Sequence, residues 1–166
     1  MEEVIQRFNQ SAVRYLLIGG QAVRLEGFPR FSMDWDLYIP PRDLDNIRKI
    51  NELLAGDLDD ALVPLGSKGE NFVQTYQTRW GILQFHLGGP GLPPFDAAEK
   101  DAVQHVTETG MFVRCLGTRQ LLESKRRSGR PQDQNDILFL EEKLGASGGV
   151  EPCIPDRPGS IDDCNV

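Results

Sequence analysis

The chain has 166 residues and a net charge of -7 at pH 7. That length fits one domain with a proper core, and the acidic balance argues against a wholesale nucleic-acid binder. Three cysteines make no disulfide framework, the acidic start Met1-Glu2-Glu3 is no signal peptide, and no apolar run is long enough to span a bilayer, so the sequence reads as cytoplasmic with no membrane partner.

Taken in chain order, Val4, Ile5 and Phe8 share one face of a helix over 3–10. Tyr15-Leu16-Leu17-Ile18 reads as a buried strand that turns on Gly19-Gly20 into a helix over 21–26, stopped by Gly27. Gly27-Phe28-Pro29-Arg30 is a loop by its punctuation. A second strand covers 33–39 and ends at Pro40-Pro41. Leu44, Ile47, Ile50 and Leu54 then set the apolar spacing of a helix over 43–54.

The stretch 57–69 is turn-rich, with a short strand at Leu62-Val63. Strands over 72–78 (Tyr76 facing the core) and 81–87 follow, then an irregular Gly- and Pro-rich segment over 88–94. Residues 103–109 and 111–116 form a hairpin across Gly110. A helix starts at Thr118 and runs through Arg126, Ser128-Gly129-Arg130-Pro131 breaks it, and a last helix runs to about Leu144. Composition changes at Gly145, which divides the chain into a domain over 1–144 and a flexible or disordered tail over 145–166 holding Cys153 and Cys164. Strands and helices do not alternate regularly. The fold class is therefore α+β, a mixed central sheet flanked by helices.

Two features carry chemistry. A glycine turn between strand and helix exposes backbone N–H groups that suit a phosphate, and a side chain there would keep the phosphates away. Asp34 and Asp36 occupy alternate positions of a strand and share one face, within reach of one hard cation such as Mg²⁺. Trp35 and Leu37 mark the opposite face as core. Basic residues gather between 111 and 132, where Arg114, Arg119, Lys125, Arg126, Arg127 and Arg130 face a single acid, Glu123. That stretch meets an anionic ligand locally or forms a solvated helix face. Asp133 follows Pro131 in a first helical turn, where an acid also favours the helix dipole, and Asp136 is placed to pair with Arg130 or a lysine. His86 and His105 read as packed strand residues.

Ile18-Gly19-Gly20-Gln21-Ala22, followed by Arg30-Phe31-Ser32-Met33-Asp34-Trp35-Asp36-Leu37, resembles the nucleotidyltransferase fold of the polymerase-β superfamily. More narrowly it resembles the minimal nucleotidyltransferases and the AbiEii-type abortive-infection toxins. Leu121-Leu122-Glu123-Ser124-Lys125, then Gly129-Arg130-Pro131, Asp133 and Asp136, is similar to their C-terminal pattern.

The resemblance implies transfer of a nucleoside monophosphate from an Mg²⁺-bound (or Mn²⁺-bound) nucleoside triphosphate to a hydroxyl on RNA, protein or a small molecule. It implies that Asp34 and Asp36 are catalytic metal ligands and that Asp133 is the base. It implies that Gly19, Gly20, Gln21, Arg30, Ser32, Lys125 and Arg130 contact the nucleotide. The sequence departs from the pattern at Gln84, which stands where a third carboxylate is expected, and at Gln21, where relatives have Ser or Thr. The first departure leaves a nucleotide-binding module with impaired chemistry as an alternative. The toxin half of a toxin–antitoxin pair, with an antitoxin partner, is another. The helix over 3–10 could serve a homodimer.

Overall fold

The computed structural model describes residues 1–147, and the remainder of the expected tail lies outside them. Six strands form one mixed sheet in the order β3-β4-β2-β1-β6-β5. These are β1 (Leu16–Ile18), β2 (Asp34–Tyr38), β3 (Val73–Thr78), β4 (Gly81–His86), β5 (Val103–Val106) and β6 (Phe112–Cys115). Six α-helices accompany them: α1 (Glu2–Gln10), α2 (Gly19–Leu25), α3 (Leu44–Leu53), α4 (Phe95–Lys100), α5 (Thr118–Ser128) and α6 (Gln134–Ser147). The α+β expectation holds.

The register explains how the sheet sorts its side chains. β2 runs antiparallel to β1 and parallel to β4, so Leu17, Leu37 and Phe85 lie in one row across three strands. All three are fully buried. Phe8 of α1 packs its ring at a tilt against Phe85 at 6.5 Å and Tyr15 at 5.9 Å, covering that face. The adjacent row is Ile18, Asp36 and Gln84, and alternation turns it to the other face. That second face receives α2, α5 and the candidate site.

α1 forms because Val4, Ile5 and Phe8 bury one stripe while Glu2 and Glu3 occupy the first turn and Arg7 the last, each at its favoured helix end. α3 is capped by Asp43, whose side chain accepts from the Asn46 N–H. Ile47, Ile50 and Leu54 face the core as expected, but Leu44, in the first turn, is 65% exposed.

Leu62-Val63 is not a strand. Its backbone is bonded instead by side chains, Leu62 by Asn51 and Val63 by Gln74. The short helix α4 was not read from the sequence, since six residues offer too few turns for a period. Phe95 and Ala98 bury it. α6 runs to Ser147, past the expected start of the tail.

Candidate functional site

At the end of β1 the backbone enters α2 with Gly19 at φ +66. A Cβ on Gly19 would lie 2.1 Å from Asp36 Oδ2, and one on Gly20 would lie 2.6 Å from Ser32 Oγ and 3.1 Å from Arg30 Cζ. The glycine turn, the Asp36 carboxylate and the loop before β2 therefore meet at van der Waals contact, in space that only glycine leaves open. Gln21 is buried beneath that loop. Its amide donates to the Ser32 carbonyl at 2.8 Å, and its oxygen accepts from Arg24 Nε.

Gly19 and Asp36 open onto a cavity of about 300 Å³, walled by Gln84 and His86 of β4, the 88–92 segment, Phe72, and Leu121, Ser124 and Lys125 of α5, with Ser128 and Arg130 beyond. His86 Nε2 lies 3.0 Å from Asp36 Oδ1. Of the ten site residues expected from sequence, Gly19, Asp36, Lys125 and Arg130 line this cavity, while Gly20, Gln21, Arg30, Ser32, Asp34 and Asp133 surround it without lining it. Asp34 shares the Asp36 face by alternation and is half-buried, two residues nearer the strand start.

Behind the cavity wall is a buried ion cluster. Lys125 Nζ reaches Asp133 Oδ1 at 2.7 Å and Asp136 Oδ2 at 2.9 Å. Arg130 Nε donates to Asp133 Oδ2 at 2.8 Å, Ser128 Oγ donates to the same oxygen at 3.0 Å, and Arg30 pairs with Asp136. Lys125, Asp133 and Asp136 are each at least 96% buried. Burial pushes the Asp133 carboxyl up, but the hydrogen bonds and charges of Arg130 and Lys125 outweigh it, and its pKa falls below the usual aspartate value.

Sequence reasoning did not single out Phe72 or the 88–92 wall, and it set His86 aside as a packed strand residue. For His86 a signal existed, because it lies two residues after Gln84 on the same strand face.

Among the described residues, no group of three or more His, Cys, Asp or Glu is gathered to hold a metal ion. The donor set still fits one divalent cation. Asp34 and Asp36 share a strand face, and Mg²⁺ characteristically takes one or two carboxylates and completes its shell with water and phosphate oxygens.

The mixed six-stranded sheet with its helices matches a nucleotidyltransferase-like fold. Solved structures that share it include two of similar length. One is a candidate nucleotidyltransferase from Thermotoga maritima, at TM-score 0.51 and 11% identity over 87% of this chain and 89% of that one. The other is the antibiotic-resistance factor ANT(2'')-Ia, at TM-score 0.55 and 16% identity over 87% of this chain and 82% of that one. At such identities the likeness is one of fold. No protein-family model matches the sequence, and no curated protein matches it. Among the described residues, no helix is long and apolar enough to cross a membrane.

Proposed function

We propose that this chain binds a nucleoside triphosphate with a divalent cation at Gly19, Gly20 and Asp36 and transfers its nucleoside monophosphate to a hydroxyl acceptor. The observation that carries the reading is the 2.1 Å separation between a Gly19 Cβ position and Asp36 Oδ2. It brings a phosphate-accessible backbone and a carboxylate to one cavity mouth.

Asp34 and Asp36 would hold the cation, Mg²⁺ or Mn²⁺, which when bound neutralises triphosphate charge and favours departure of pyrophosphate. Glycine at 19 and 20 lets the Asp36 carboxylate and the Ser32 and Arg30 side chains close against the turn, beside the backbone N–H groups that would meet the phosphates. Arg130 faces the cavity from the break after α5 with its side chain about half exposed, where it would meet phosphate oxygens, while Lys125 is held between Asp133 and Asp136 in the cavity wall. Gln21 fixes Ser32, and Asp136 fixes Arg30, so the loop over the turn keeps its shape. The acceptor oxygen forms a bond to the α-phosphorus as the bond to the bridging oxygen breaks; the electron pair leaves with pyrophosphate, and the hydroxyl proton passes to solvent water at the open cavity mouth.

A base needs a free lone pair, whereas both Asp133 oxygens already accept hydrogen bonds from Lys125, Arg130 and Ser128. Asp133 therefore serves in this scheme as a positioning residue for Lys125 and Arg130.

Incubation with α-labelled triphosphates, Mg²⁺ or Mn²⁺ and a panel of hydroxyl acceptors tests the reading. Label transfer in the wild type and its loss in Asp36→Ala and Asp34→Ala are expected. Equal transfer in wild type and variants would sink it. A second reading is favoured by Gln84, the uncharged partner of Asp36 in the β2–β4 register. It keeps the nucleotide site without turnover, and its signature is thermal stabilisation by triphosphates with no label transferred.

A further inference from the structure

In the β2–β4 register Asp36 faces Gln84, an amide without charge, and Tyr38 faces His86. Two positions along β4 from Gln84, His86 turns to the same side of the sheet and enters the same cavity. Its Nε2 is 3.0 Å from Asp36 Oδ1, and both side chains keep about a fifth of their surface open, 19% and 17%. Two donors bound side by side to an octahedral cation at about 2.1 Å are held about 3.0 Å apart by geometry alone. The Asp36–His86 spacing is thus that of neighbouring ligands of one ion as much as that of a hydrogen bond.

We propose that His86 is a metal ligand, and that with Asp36 and the Gln84 amide oxygen it makes a mixed nitrogen–oxygen site selective for Mn²⁺ over Mg²⁺. The proposal rests on the cation-dependent reading of the same cavity. Its physical basis is donor type. Mg²⁺ prefers an all-oxygen shell rich in carboxylate, water and phosphate. Transition ions gain from imidazole nitrogen, so exchanging a carboxylate for an amide and adding an imidazole weakens Mg²⁺ more than Mn²⁺.

Calorimetric titration of the full chain with MnCl₂ and with MgCl₂ decides the matter, using wild type, His86→Ala, His86→Asp and Asp36→Ala. Mn²⁺ binding about tenfold or more tighter than Mg²⁺ is expected for the wild type, with the preference gone in His86→Ala and turned toward Mg²⁺ in His86→Asp. Asp36→Ala should lose both ions. The chain has two histidines, and His105 is held by Glu26 at 3.3 Å, so the imidazole nitrogen resonances supply a second readout in the wild type. One equivalent of Zn²⁺, diamagnetic and imidazole-seeking, should shift the His86 ring and leave that of His105.

A Mn²⁺ preference that survives His86→Ala but not Asp36→Ala, or an unmoved His86 ring, overturns the histidine assignment and leaves the cation reading intact. A wild type that binds neither Mn²⁺ nor Mg²⁺, alone or with a triphosphate, overturns both.

Discussion

At the scale of single residues the site depends on what is absent at position 19. Gly19 has φ +66, where an L side chain costs about 1–2 kcal/mol, and its missing Cβ is the space that Asp36 occupies. Gly110 offers the control, because it too has positive φ (+82) yet has nothing within 4 Å of its Cβ position. Gly19→Ala and Gly110→Ala should lower the melting temperature to a similar degree through backbone strain. Only Gly19→Ala should also displace the carboxylate and reduce transfer, by about a hundredfold on the usual cost of an ångström of misplacement. Comparing melting curves with labelled-nucleotide transfer separates the two effects. Equal activity in both variants would remove Gly19 from the site.

Among elements, the strands and helices that bear the site were legible because their signals are short-range. Alternating Asp34 and Asp36 opposite Leu37, or the stripe of Val4, Ile5 and Phe8, need only one period to be read. What was not legible depends on register and on distant partners. Nothing local reveals that β4 runs parallel beside β2 and so delivers His86 to Asp36 across 50 positions. Likewise, Arg30 and Asp136 meet across 106 positions. Glu26, unremarkable in sequence, caps α2 and joins three other elements: His105 of β5, Thr118 of α5 and Lys143 of α6. Burial pushes its carboxyl up, but hydrogen bonds from His105, Lys143 and Thr118 and the Lys143 charge bring it from the ordinary 4.5 down to about 2. A depressed folded-state value means that this stabilisation is complete above pH 4.5 and is lost as the pH falls toward 2. Linkage alone makes it worth about 3 kcal/mol, and solvent screening brings that to about 2 kcal/mol. Urea unfolding at pH 7, 4.5 and 3 should therefore show Glu26→Gln less stable than wild type at pH 7, with the gap closing in acid. A constant gap across that range would show that Glu26 stabilises by packing alone.

For the molecule as a whole, charge bears on which acceptor the site can serve. The basic stretch between 111 and 132 reads in sequence as a place for an anionic ligand or as a solvated helix face, and in the fold five of its six cations are already engaged. Arg114 pairs with Glu99, Arg126 with Glu141, Arg127 with Glu123, Lys125 with Asp133 and Asp136, and Arg130 with Asp133. The exposed pairs among these add little stability, but they cancel the local positive field. What remains outside is the field of a chain carrying -7. Nucleic-acid affinity comes largely from cations that displace counterions from phosphates, and it rises steeply as salt falls. That stretch has few such cations to offer, while the cavity of about 300 Å³ is at the lower end of small-molecule sites. An acceptor no larger than a small hydroxyl compound is therefore expected to outcompete RNA. Fluorescence anisotropy with labelled tRNA should give no binding tighter than about 100 μM at 50 mM salt, weaker than ordinary non-specific association. Micromolar affinity that falls steeply between 50 and 200 mM salt would instead show that the paired arginines open toward phosphates, and would restore RNA as the acceptor.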